Sequence, residues 1–234
     1  MTVYLRALSP ELDWLPDDTE EEILGASSHQ GGIVGMDTSL NLYRTEANLP
    51  WFVGNQLKLI IPRRSGGTYQ PSPDILVHPT LGQRELTSLA VAEYGPPALI
   101  IEFASPGTAR EHDLNTLRPE AKPRAYEECG VAEYLVCDPL GIIVPERVRA
   151  WRYGPAGTYE PWLPAPDGRW HSRALGISFA PEQRGALLRV YTPDGRLVPT
   201  SDELARELRA ERTRVAEQAA RIAELEAELR RRGG

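Results

Sequence analysis

The sequence predicts an α/β domain built on a mixed sheet flanked by helices, with a separate helix appended at its C-terminal end. Two apolar runs, PDILVHP and PPALIIEFASP, open after proline and close at proline, as strands buried on both faces do. Between PPALIIEFASP and the further apolar run VAEYLVCDP lies RAYEECG, which reads as a helix stopped by Gly130 and completes a strand, helix, strand crossover. Beyond Ser201 the apolar period changes to alternating steps of four and three, the mark of a coiled-coil seam. These boundaries divide the chain into an acidic N-terminal arm over 1–22, an α/β domain over 23–200 and a coiled-coil tail over 201–234.

Composition agrees with this division. A length of 234 residues suffices for one domain of roughly 100 to 200 residues plus an appendage. A hydrophobic fraction of 41% and a charged fraction of 25% are those of a chain that buries a core. No stretch approaches the roughly 20 apolar residues of a membrane span, and no basic region followed by an apolar run opens the chain, so a cytoplasmic location is expected. Cys129 and Cys137 lack metal-ligand spacing and read as buried free thiols. The net charge of -7 opposes nucleic-acid binding, which rests on Lys and Arg at phosphates, but ELDWLPDDTEEE, between Glu11 and Glu22, carries acids and no base, which leaves the body near neutral.

Taken in order, the acidic segment is broken by proline and has no sustained period, with Trp14 and Leu15 as its apolar anchors, so an extended arm is expected. In ILGASSHQGGIVGMDTSLNLYRTEA, Ile33, Met36, Leu40 and Tyr43 recur at helical spacing despite a glycine pair, predicting a first helix whose apolar face covers a sheet. NQLKLIIP, Asn55 to Pro62, reads as the first strand, and RRSGGTYQPSP as the loop that leads to Asp74. After VAEYLVCDP, the alternation of Val148, Ala150 and Tyr153 with Arg149 and Arg152, broken by Trp151, predicts an antiparallel strand. Short strands around Tyr159, Ile177 and Val190 complete a β-rich C-terminal part.

In the tail, one heptad register sets Leu208, Val215, Ile222 and Leu229 at a, and Leu204 and Leu225 at d, with Glu211 and Gln218 interrupting d. Glu207 at g then faces Arg212 at e of a parallel partner, and Arg221 faces Glu226, so the register predicts a parallel homodimer. A single solvated helix is the alternative. Ser201, followed by Asp202 and Glu203, is the expected cap.

Two acids stand out. Asp74 precedes the apolar run ILV, which would hold its carboxylate rigidly at a strand mouth. Glu102 lies inside LIIEFA, where an uncompensated carboxylate costs several kcal/mol, and a bound cation is one compensation. A turn aspartate and a salt-bridged strand glutamate are the bland readings of each. Together they offer oxygen ligands for Mg²⁺, with Mn²⁺ a substitute, since Mg²⁺ takes one or two carboxylates and keeps several waters. A metal so held serves phosphodiester hydrolysis by neutralising phosphate charge and supplying hydroxide near neutral pH.

PSPDILV, PPALIIEFASP, KPRAY, CGVAEYLVCDP and RVRAWRY, in that order, resemble the Uma-two family of bacterial endonucleases, from about Glu22 to Val198. The tail fits as well, since many similar members end in a Glu- and Arg-rich coiled coil after a proline-containing link, here LVPTSDE. The resemblance implies the restriction-endonuclease-like fold of the PD-(D/E)xK superfamily and a metal-dependent endonuclease acting on DNA. It makes Asp74 and Glu102 the metal-binding acids. The superfamily lysine two residues after the second acid is absent, since Ala104 stands there, and the resemblance assigns its part to Lys122. Pro123 is tolerated only at a helix start, so the helix is expected to begin there with Lys122 just outside it. Asp113 could assist or cap, and the superfamily's first helix, which sometimes adds a ligand, draws attention to His29, Gln30 and Glu22.

His78, His112 and His171 show no metal-ligand spacing, and Trp151, Trp162 and Trp170 read as packing rather than base-stacking platforms. Arg63, Arg64, Arg110, Arg118 and Arg124 flank the acids and would form either a phosphate-facing rim or dispersed solubility charge. The competing function is a catalytically inactive nucleic-acid- or protein-binding module assembled through the tail. A third is a metalloenzyme for another substrate, since a fold does not fix one.

Overall fold

We describe the protein from a computed structural model, over residues 20–232 apart from 65, 105–121, 139–140, 142–143, 145 and 183–187, and without the side chains of 20–28. Residues 1–19 of the expected arm lie outside this range, as do Asp113, His112, Arg110 and Arg118 and the side chain of Glu22. Two compact units are present, Met1–Val198 and Pro199–Gly234.

The first unit opens with helix α1 (Glu20–Glu46), which starts earlier than residue 23 and buries the expected face of Ile33, Met36, Leu40 and Tyr43. Next come β1 (Phe52–Asn55), β2 (Lys58–Pro62), β3 (Thr68–Tyr69), β4 (Ile75–His78), β5 (Ser88–Ala90), the single turn α2 (Val91–Tyr94) and β6 (Leu99–Phe103). Helix α3 (Lys122–Cys129) leads to β7 (Glu133–Cys137), followed by β8 (Val148–Tyr153), β9 (Tyr159–Pro161), β10 (Trp170–His171), β11 (Ser178–Pro181) and β12 (Leu188–Tyr191).

The central sheet runs β1-β4-β6-β7-β8-β9, with β6 and β7 parallel and every other pair antiparallel. The mixed sheet with its helices has the restriction-endonuclease-like architecture. β6 and β7 join through α3 as the crossover reading required, and β8 is antiparallel to β7 as expected. All of β4, β6 and β7 is buried, which is why these strands read as unbroken apolar runs. Alternation within a strand sends neighbours to opposite faces. Leu99, Ile101 and Phe103 join a core with α1 and the small sheet β10-β11-β12, whereas Ile100 joins a second core with α3 and the sheet β3-β2-β5. Trp151 packs in that second core, stacked at 5.4 Å on Tyr134, so it breaks the alternation of β8 because both faces are covered.

The single first strand expected over Asn55–Pro62 is instead two strands in different sheets. Gln56 adopts a left-handed φ of 47° and turns the chain between β1 and β2. Thr68–Tyr69 pairs with β2 inside the segment expected to be a loop, and β5, α2 and β10 carried too few residues to show a period.

The second unit is helix α4 (Ser201–Arg232), with no buried residue. The seam residues Leu208, Val215, Ile222, Leu225 and Leu229 are exposed along it. Its cap is Thr200 rather than Ser201: the Thr200 N–H donates to Glu203 Oε2 at 2.8 Å, and the Glu203 N–H returns to Thr200 Oγ1 at 3.4 Å. This reciprocal box needs an acid three residues after the cap, which Thr200 has and Ser201, with Leu204, lacks. Among the described residues no helix is long and apolar enough to cross a membrane.

Candidate active site

Asp74 stands just before β4 and Glu102 near the end of β6. These strands pair antiparallel with Ile75 opposite Ile101, so the register continued by one step sets Asp74 opposite Glu102. Cross-strand neighbours of this kind share a face. Parity assigns both acids to the face covered by α3, since Leu76 and Ile100 lie in that core. Both are buried, Asp74 at 7% exposure and Glu102 at 1%.

Helix α3 grips Glu102 with two side chains one turn apart. Lys122 Nζ donates to Oε2 at 3.1 Å and the Tyr126 hydroxyl to Oε1 at 2.8 Å. Lys122 is the first residue of α3 rather than just outside it, and Pro123 fits the first turn because its missing N–H has no intrahelical partner to lose. Spacing of i and i+4 points both side chains the same way. The sequence brought Lys122 and Tyr126 to one face, but Tyr126 was not read as part of the site; an aromatic hydroxyl one turn from the lysine was the available signal.

Burial, the largest effect, and the neighbouring Asp74 push the Glu102 carboxyl up to about 7, against the lowering pull of Lys122 and the Tyr126 hydrogen bond. Tyr126 is itself pushed well up by burial and by the adjacent carboxylate. Asp74 is held at one oxygen: Oδ2 accepts the Phe103 N–H at 2.8 Å and lies 3.3 Å from His29 Nε2 on α1. The hydrogen bond that His29 donates to Asp74 raises the His29 pKa, and burial opposes it. The structure thus brings together Asp74, Glu102, Lys122 and, from the first helix, His29, while Gln30 is exposed.

Among the described residues no group of three or more His, Cys, Asp or Glu side chains is gathered for a metal ion. The donor set is a carboxylate pair. That fits Mg²⁺, which takes one or two carboxylates and fills its remaining positions with water and substrate phosphate.

A model of the Uma2 family, described as putative restriction endonuclease, matches residues 35–182 of 234. The chain belongs to that family. Uma2 membership makes it a nuclease-type hydrolase by class, and Asp74, Glu102, Lys122 and Tyr126 all lie inside the matched span, whereas His29 and α4 lie outside it. No curated protein matches the chain.

Most of the remaining candidates described have structural partners. His78 Nε2 bonds the Tyr94 carbonyl at 2.9 Å, and burial lowers its pKa. His171 pairs with Asp167 at the surface. Trp151, Trp162 and Trp170 are buried in the cores, as packing requires. Arg63 pairs with Glu128 at 3.6 Å and Arg124 with Glu127 at 3.2 Å; Arg64 is exposed.

Proposed function

We propose that the chain is a Mg²⁺-dependent endonuclease that hydrolyses phosphodiester bonds in DNA, with Asp74 and Glu102 holding the metal and Lys122 beside them. The observation that carries this reading is the antiparallel register that sets the two buried carboxylates opposite each other, with an ammonium 3.1 Å from one of them. A divalent cation held there would neutralise charge on the scissile phosphate and lower the pKa of the attacking water.

The chain's own groups have separable tasks. Lys122 lowers the cost of ionising Glu102 in its buried setting, and its ammonium can donate to the attacking water or to a phosphate oxygen. Tyr126 fixes Oε1 and so orients the other oxygen toward Lys122. The Phe103 amide fixes Oδ2 of Asp74, while Oδ1 carries no hydrogen bond among the described residues.

Incubation of the purified chain with plasmid, linear duplex and RNA, with Mg²⁺, Mn²⁺ or EDTA, tests the reading. Cleavage of DNA that needs the metal and disappears in Asp74→Ala and Glu102→Ala is the expected result, and undiminished cleavage in both variants rejects the site. Retention of DNA without cleavage under any metal supports the inactive binding module instead.

We further propose that α4 joins two copies in parallel. The attracting Glu207–Arg212 and Arg221–Glu226 pairs, and β-branched Val215 and Ile222 at a, support a two-stranded coil. Sedimentation of the full chain should give twice the mass of one chain, and a chain ending at Thr200 should give a monomer; equal monomeric masses discard the dimer.

A further inference from the structure

We propose that His29 is the positioning residue for the Asp74 carboxylate, delivered to it by a helix-to-sheet contact that the glycine at position 32 makes possible. The inference rests on Asp74 being a metal-holding acid, and it concerns a part of the chain outside the family match.

The adjacent glycines Gly31 and Gly32 of α1 differ in their surroundings. A Cβ on Gly31 would meet nothing within 4 Å, whereas a Cβ on Gly32 would lie 2.6 Å from Cε1 and 2.7 Å from Cδ1 of Phe103. Phe103 is 1% exposed and packed in the core, so its ring has little room to give. Bare backbone at position 32 therefore lets α1 settle against the ring. His29 lies three residues earlier on the same helix face. Its imidazole meets Phe103 edge-on, with centroids 6.5 Å apart and planes at 83°, and brings Nε2 to 3.3 Å from Asp74 Oδ2.

The main chain of Phe103 acts on the same oxygen through its N–H, at 2.8 Å. One residue thus sets the helix distance with its ring and holds the carboxylate with its amide. An ionised carboxylate only accepts, so Nε2 is the nitrogen that carries the proton in this contact. With Oδ2 held from the strand and from the helix, the carboxylate is fixed in rotation, and Oδ1 is the oxygen left for a ligand. Nε2, the nitrogen on the Asp74 side of the ring, is taken up by the contact with Oδ2, so His29 acts on the carboxylate and not on the ion. Partners of ligands in this position change metal affinity by about 10- to 100-fold when removed.

Two readouts on the full-length chain test the proposal. In metal-free protein, the Nε2–H signal of the His29 imidazole should be that of a hydrogen-bonded proton and should change in both Asp74→Asn and Gly32→Ala. Titration with Mn²⁺, followed by water-proton relaxation, should show affinity reduced by about 10-fold or more in His29→Ala, and largely restored in His29→Gln, whose amide can donate in place of Nε2–H. Wild-type affinity in His29→Ala overturns the proposal. Equal loss in His29→Gln and His29→Ala also overturns it, because His29 would then be a ligand itself. A wild-type chain that takes up no Mn²⁺ refutes the endonuclease reading and this role with it, while an imidazole signal indifferent to Asp74→Asn refutes the contact alone. The His29 variants decide the matter even where Gly32→Ala fails to fold.

Discussion

Glu102 and Glu133 are equally buried glutamates on neighbouring parallel strands, each at 1% exposure, yet their partners differ. The register pairs Leu99 with Glu133 and Glu102 with Val136, so the two acids stand at opposite ends of the same strand pair. Glu133 accepts from Arg152 Nε at 3.2 Å, from the Arg173 N–H at 2.8 Å and from the Ser172 hydroxyl, and so ties the β10 region to the central sheet. Glu102 lies opposite a second carboxylate, Asp74, and burial first, with Asp74 adding to it, pushes its carboxyl up to about 7. Burial of an acid alone does not make a site. A second acid nearby adds like-charge repulsion that protonation or a cation would relieve, and this is what makes the Asp74–Glu102 pair the candidate site.

Substitution separates the two glutamates most sharply. Glu102→Gln should reduce cleavage by about 10³-fold in a folded protein, the scale of losing a group aimed at transition-state charge. Glu133→Gln should leave the rate per folded molecule unchanged. Cleavage assays on both, with circular dichroism as the folding control, check this.

The pH dependence of stability comes next in size. The Glu102 carboxyl is raised from 4.5 to about 7 in the folded chain, so its favourable contribution is complete below pH 4.5 and is lost as pH rises through about 7. His29, raised from 6.5, adds a loss of the same sign. In EDTA the unfolding free energy of the wild type should therefore fall across this window by on the order of 3 kcal/mol relative to Glu102→Gln. Denaturant titrations at pH 4.5 and pH 8 measure it, and parallel curves for the two proteins would count against a strained carboxylate.

Glu133→Ala should cost about 2–3 kcal/mol, less than a fully buried ion pair because Arg152 can turn to solvent. The smallest effect sharpens the helix contact beside the site. Gly31→Ala should stabilise α1 by about 0.5–1 kcal/mol, since its Cβ meets open space, while Gly32→Ala should destabilise by about 1–3 kcal/mol against Phe103. Thermal melts of the pair give the signs directly.

The contrast also marks how far the sequence could be read. LIIEFA and VAEYLVC each set a glutamate in or beside an apolar run, and local pattern treats them alike. What separates them is partners that lie 19 to 40 residues away for Glu133 and, for Glu102, 20 and 24 residues away in Lys122 and Tyr126, with Asp74 across the strand pair. The central strands were legible because two covered faces leave an unbroken apolar run. The division between β1 and β2 was not, because Gln56 takes a left-handed backbone that its side chain does not announce. His29 drew attention only through the resemblance, as a residue of the first helix; its meeting with Asp74 depended on the missing Cβ at position 32, a property of packing rather than of period.

The central claim is that Asp74 and Glu102 hold one divalent ion between them. An anomalous difference map from crystals of the full chain soaked in Mn²⁺ tests it most directly. The account predicts a single strong peak within coordination distance of a carboxylate oxygen of each residue, absent in Glu102→Gln; a map with its peak elsewhere, or unchanged in that variant, would contradict it.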